Sequence, residues 1–231
     1  LVATQEASSD WRVIRDLLSN DVKRLIIDDD DQYQRVRNFL REFLPKYASV
    51  VQPYTRKQPI YDFYGIEEEI DRAMSHKVWL KSGGYLVIDQ TEALTAIDVN
   101  TGRFVGKASH EETILKTNLE AVQEIVYQLK LRNIGGIIII DLIDMEAAQN
   151  RQRVYQALKE ELKHDKARSK ILQISEIGLV EMTRKRDRDN LGWLLSSPCP
   201  YCDGTGRINS LSSVAFELFR ELERMRLSAR S

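Results

Sequence analysis

Apolar residues recur at helical spacing in several stretches of the chain, with short strand-like runs between them, and this alternation predicts the fold. Leu115, Leu119, Val122, Val126 and Leu129 repeat every three or four positions, which makes 111–131 the strongest predicted helix. Val154, Leu158 and Leu162 define a second helix, and Trp11, Ile14, Leu17 and Leu18 share a helical face near the start. Residues 23–28 (KRLIID) read as a short buried strand closed by the acidic run 28–31. Four aspartates in a row suggest a metal site, but between a strand and the amphipathic helix 32–43 they read better as a cap and solvated turn. Pro45, Pro53 and Pro59 mark a looser connection, after which 64–74 is predicted helical. Ser82-Gly83-Gly84 turns the chain into two hairpin strands, 85–88 and 93–97. Gly135-Gly136 ends the long helix, and 137–140 is a wholly apolar β-branched run, as expected of a strand buried on both faces. Further strands are predicted around 171–174 and 179–182. The expectation is an α/β fold with a mixed sheet.

Composition narrows the class. At 231 residues the chain has room for one large domain or two small ones. With 42% hydrophobic and 30% charged residues and a mean hydropathy of -0.39, it has the balance of a soluble globular protein. No apolar run approaches the roughly 20 residues that span a bilayer. The opening LVATQEASSDW lacks the basic, apolar and small-residue order of a signal peptide, so the expected location is cytoplasmic. Lys and Arg number 34 against 35 Asp and Glu, so any polyanion site must be a local patch. The two cysteines, Cys199 and Cys202, share one C-P-Y-C turn, which points to metal binding or redox chemistry rather than a disulfide framework.

The candidate chemistry sits near strand ends. Asp98 follows the strand ending at Ile97, and Asp141 follows the apolar run 137–140. Carboxylates that converge outside strand ends can hold a hard divalent cation such as Mg²⁺, although carboxylates also cap helices after strands, and spacing alone leaves both readings open. Asn100, two residues beyond Asp98, faces the same side on extended backbone. Asp144 reads as the N-cap of a helix beginning near Met145. Arg103, Lys107, Lys130 and Arg132 flank the carboxylates in sequence and offer contacts to phosphate. Arg184-Lys185-Arg186 with Arg188 reads as a solvated basic loop. Cys199 and Cys202 are followed by Gly204-Thr205-Gly206, a glycine-rich turn that favours a zinc knuckle over a thioredoxin-like redox site. That is half a tetrahedral site; His76, His110 and His164 are scattered, and the missing ligands are expected from another chain.

Three segments resemble the catalytic region of the ribonuclease E/G family, and they occur in the family's order: GGYLVIDQTEALTAIDVNTGR (83–103), TNLEAVQEIVYQLKLRNIGGIIIIDLIDM (117–145) and CPYCDGTG (199–206). The likeness is specific from about residue 56 to 206 and looser before it. It implies a magnesium-dependent endoribonuclease of RNA processing and decay (rRNA processing, mRNA decay). Such an enzyme cuts single-stranded, often A/U-rich RNA and leaves 5′-phosphate and 3′-hydroxyl ends. Asp98 and Asp141 match the family's magnesium ligands, Asn100 the residue supporting them, and Arg132 an arginine close by. Arg168 matches an arginine of a pocket that senses a 5′-monophosphate, and Cys199 and Cys202 match the pair that shares one zinc with a neighbouring subunit.

The resemblance also implies an architecture: a ribonuclease-H-like segment (1–75), a deoxyribonuclease-I-like catalytic subdomain (76–197), a zinc link (198–207) and the start of a small helical C-terminal domain (208–231). In that domain Val214, Leu218 and Leu222 share one helical face. The family's OB-fold RNA-binding domain and most of its 5′-sensing subdomain have no counterpart in this sequence, so the resemblance implies a piece of a larger enzyme. The expected partners are single-stranded RNA and a second copy joined through the shared zinc, with a dimer of dimers as a higher assembly. The rival reading is a non-catalytic, zinc-linked RNA-binding or assembly module, and a thiol-disulfide oxidoreductase is a distant third.

Overall fold

The computed structural model describes residues 14, 18, 22–102, 110–175, 177–186 and 188–228, and the chain divides into two compact units, Leu1–Asp71 and Arg72–Ser231. In the first unit, β1 (Leu25–Ile27) pairs in parallel with β2 (Val51–Pro53), and α1 (Asp30–Phe43) packs on them. Asp29 caps α1 by accepting a hydrogen bond from the Gln32 N–H at 2.7 Å, so the aspartate run does act as a helix start. Ile14, Val36, Leu40 and Val51 form the small core, against which Leu18 packs; Trp11 and Leu17 lie outside the described residues. β1 is half-buried rather than buried as expected, because it belongs to a sheet of only two strands among the described residues. The predicted helix 64–74 is two helices, α2 (Ile60–Tyr64) and α3 (Ile66–Met74). They break at Gly65, whose φ of 65° is the left-handed C-cap conformation that glycine adopts without strain.

The second unit is built on a six-stranded mixed sheet of order β3-β4-β5-β6-β8-β7. Its strands are β3 (Lys77–Trp79), β4 (Tyr85–Gln90), β5 (Leu94–Asn100), β6 (Gly136–Asp141), β7 (Ser169–Ile174) and β8 (Leu179–Arg184). Only β5 and β6 run parallel, and α4 (His110–Leu131) supplies the crossover that a parallel pair requires. α5 (Ala148–Lys163) packs beside α4. After the sheet come α6 (Leu191–Leu195) and α7 (Leu211–Ser228), whose Val214, Leu218 and Leu222 are all exposed. No described helix is long and apolar enough to cross a membrane.

Cross-strand register explains why the sheet has one dry face. Ile88, Ile97, Ile140 and Val180 are successive partners across four strands, as are Val78, Leu86 and Val99 across three. All join one core with Ile125, Leu129, Val154 and Leu158 of the two helices. Each such buried side chain contributes about 1.5–3 kcal/mol. The opposite face carries the alternate residues, and these are exposed or half-buried. The apolar run of β6 therefore corrects its sequence reading: Ile138 and Ile140 are fully buried, but Ile137 is 50% exposed. Among the described residues helices cover one face of β6 only, so its uniform hydrophobicity does not mean burial on both sides.

Candidate active site

On the open face, Lys77, Val87, Asp98, Asp141 and Leu179 are consecutive register partners across five strands. Asp98 and Asp141 thus sit side by side at the C-terminal ends of the parallel pair, where ligands gather in such sheets. Both are exposed. Partial burial raises the Asp141 pKa above the usual carboxylate range, and the negative charges of Asp98 and Asp144 raise it further. Crowded carboxylates that repel one another are a fitting donor set for a hard divalent cation. Asn100 donates from Nδ2 to Asp98 Oδ2 at 2.7 Å, which fixes that carboxylate's rotamer. β5 extends to Asn100, past its predicted end at Ile97, so both residues lie on the strand and share one side.

Residues that sequence reading passed over hold the site in place. Asn118 in α4 clamps the loop after Asp141: its Nδ2 donates to the Ile143 carbonyl at 2.8 Å, and its Oδ1 accepts from the Ile143 N–H at 3.1 Å. The signal was an asparagine on the apolar stripe of a helix, four residues from both Ile114 and Val122, where only a satisfied polar group is tolerated. Glu111 accepts from the N–H groups of Glu146 and Ala147 and from Asn150 Nδ2, at 3.4, 3.2 and 2.8 Å. It serves the start of α5, whose own N-cap, Ala147, has no side-chain acceptor. Asp144 is therefore not the cap of that helix. Gly84 approaches β5 so closely that a Cβ there would lie 2.6 Å from the Asn100 carbonyl oxygen.

Two predicted phosphate contacts stand at the other end of the sheet. Arg132 follows α4, before β6 begins, and is buried. Its Nε donates to Gln128 Oε1 at 2.8 Å and its Nη2 to the Arg72 carbonyl at 3.2 Å. Burial lowers its pKa to about 10, Glu124 opposing and Arg72 adding to the drop. The structure does not bring Arg132 to the carboxylates, because β6 runs its whole length between them. Arg168 precedes β7, is exposed, and accepts at its carbonyl from the Lys185 N–H at that same end. Arg103 and Lys107 lie outside the described residues. The supposed basic loop is also corrected at its first member: Arg184 ends β8 with its side chain 5% exposed, donating to both Asp165 oxygens and to the Ile134 carbonyl.

The cysteine turn is tight. The Asp203 N–H donates to the Cys199 carbonyl at 2.9 Å and the Thr205 N–H to the Cys202 carbonyl at 2.8 Å, with Asp203, Gly204 and Gly206 all at positive φ. The Gly206 N–H, the Cys199 side chain and the Gly204 N–H lower the Cys202 thiol pKa, an environment that favours thiolate. Among the described residues no group of three or more His, Cys, Asp or Glu is placed to hold one metal ion. The carboxylate pair and the thiol pair each offer two.

The sequence pattern of the Ribonuclease E/G family matches residues 2–187, four-fifths of the chain and the whole open-face row. The chain belongs to the ribonuclease E/G family. It is 45% identical to Ribonuclease G of Escherichia coli over 214 residues, covering 93% of this chain and 44% of that protein. It is 38% identical to the chloroplastic Ribonuclease E/G-like protein of Arabidopsis thaliana, covering 92% of this chain and 22% of that protein. It is also 38% identical to Ribonuclease E of Haemophilus influenzae, covering 95% and 23% respectively. The chain thus spans less than half the length of these family members. Asp98, Asn100 and Asp141 fall inside the family match, whereas Cys199 and Cys202 fall beyond its end.

Proposed function

We propose that this chain carries the catalytic part of a magnesium-dependent endoribonuclease that hydrolyses single-stranded RNA. The observation that carries the reading is the pairing of Asp98 with Asp141 at adjacent strand ends, with Asn100 bonded to Asp98, inside the family segment. Asp98 and Asp141 would hold the ion. A Mg²⁺ ion bound there supplies Lewis-acid charge for the scissile phosphodiester and acidifies water for in-line attack. Asn100 orients Asp98, and Asn118 holds the loop that follows Asp141. The open sheet face gives an extended RNA strand access to both carboxylates. Hydrolysis on the family pattern leaves 5′-phosphate and 3′-hydroxyl ends.

The same reading assigns 1–75 to a ribonuclease-H-like segment and 76–197 to a deoxyribonuclease-I-like subdomain. A break between compact units after Asp71 supports the first boundary. Residues 198–207 form a zinc link in which Cys199 and Cys202 share one ion with the same pair of a second copy, and 208–231 begin a small helical domain. Arg168, exposed at the sheet end remote from the carboxylates, is the candidate contact for a 5′-terminal phosphate. Incubation of the intact protein with labelled single-stranded RNA tests the activity. Cleavage in Mg²⁺ that EDTA abolishes is expected; binding without cleavage supports the non-catalytic module instead.

A further inference from the structure

The open face carries a second feature beside the carboxylates. Trp79, Tyr85 and Asn100 are register partners on β3, β4 and β5, one pleat along from the row that holds Lys77 and Asp98. The Trp79 and Tyr85 rings meet edge to face with centroids 5.4 Å apart. The Lys77 ammonium lies 3.4 Å from the Tyr85 centroid and 4.1 Å from that of Trp79. Trp79 is 61% exposed on an edge strand. Together these residues line a concavity of about 620 Å³ that reaches Asn100 and Thr101.

We propose that Trp79, braced edge to face by Tyr85, forms a stacking site for a nucleobase of single-stranded RNA next to the scissile phosphodiester, with the Lys77 charge beside it offsetting that of the RNA backbone. This rests on the endoribonuclease reading and specifies how that site grips its substrate. Packing does not account for the indole, most of whose surface stays in water. Stacking on a base does, since every base offers a π-face. The carboxylate pair by itself repels a polyanion, and Lys77 is the cation of the same cross-strand row. Two strand spacings, roughly 10 Å, separate Trp79 from Asn100, so a base on the indole and a phosphate at the carboxylates can belong to one short stretch of chain.

The test uses the intact protein and a short oligouridylate. Trp79→Ala is expected to raise KM about tenfold with kcat changed by less than about twofold, and Trp79→Phe to restore most of the loss. A second measurement needs no turnover. The sequence has three tryptophans, so Trp11→Phe with Trp193→Phe leaves Trp79 as the sole indole. In EDTA, oligouridylate is expected to quench its emission, and polyphosphate of equal charge to leave it unchanged. An unaltered KM in Trp79→Ala, or quenching no greater with oligouridylate than with polyphosphate, overturns the proposal. If the unmodified protein cleaves no RNA in Mg²⁺, it is the endoribonuclease reading that fails, and the titration alone decides the stacking site.

Discussion

Asp98 and Asp141 are register partners on the one parallel strand pair of the sheet, and partial burial together with the charge of the first holds the carboxyl of the second above its ordinary range. Asp98→Asn and Asp141→Asn are each expected to lower RNA cleavage roughly a hundredfold or more, because a charged ligand worth several kcal/mol is removed. The fold is expected to survive. Since the native state raises the Asp141 pKa, ionisation at neutral pH costs stability, and the amide removes that cost. Cleavage assays paired with thermal melts check this: a melting temperature that holds or rises while activity disappears is the expected pair of results. A drop in both would mark the aspartates as structural.

The Asn100 amide donates to Asp98 Oδ2, so in the proposed site it would act through that carboxylate. Asn100→Ala is therefore expected to weaken cation affinity about tenfold, the lower end for a residue that orients a ligand. Raising Mg²⁺ should then restore most of the rate. A titration of cleavage rate against Mg²⁺ distinguishes this from a defect in the chemical step, which added cation would not repair.

Acid stability should depend on Asp165. Burial by itself would raise its pKa, but hydrogen bonds from Arg184 and the Ala167 N–H, with the Arg184 charge, hold it below the ordinary value. A carboxylate depressed in the folded state stabilises the fold above its unfolded pKa of about 3.9 and loses that contribution as pH falls through the folded value. Asp165→Ala is expected to cost about 3 kcal/mol near neutrality, because Arg184 is left buried with a charge unpaired. Denaturant melts from pH 7 to pH 3 should show the wild-type advantage shrinking toward the acid end. An advantage independent of pH would assign the cost to packing.

Zinc is expected at one ion per two chains. Structural zinc takes four ligands, and the described residues place no third ligand beside Cys199 and Cys202. A two-fold axis through the turn would bring in the same two thiols from a second copy. Chelation, or Cys199→Ser with Cys202→Ser, should then release monomers. Native mass spectrometry reads the stoichiometry directly, and a monomer with its own zinc would contradict the shared site.

Local periodicity alone makes several elements legible. The helix predicted over 111–131 is α4, and the hairpin predicted after Gly84 is β4 and β5, because a 3.6-residue or two-residue repeat is visible in the sequence itself. The same alternation sets Asp98 and Asn100 on one side of their strand. Short-range chemistry is equally readable in the aspartates that cap α1 and the glycines that shape the cysteine turn.

Partnership between distant segments is decided only by the tertiary structure. That Asp98 lies beside Asp141 depends on strand order, with α4 carrying the chain across to a parallel neighbour. The exposure of Ile137, the burial of Arg184 against Asp165 and the clamp of Asn118 on Ile143 depend on which sheet face the two helices cover. The sequence pattern does not predict β3, and with that strand comes the row that sets Trp79 and Tyr85 beside Asn100. Periodicity says which side chains share a face of one element. Which face turns dry, and what stands opposite, is settled when all the elements pack at once, because burial is a property of the assembled layers rather than of any one segment.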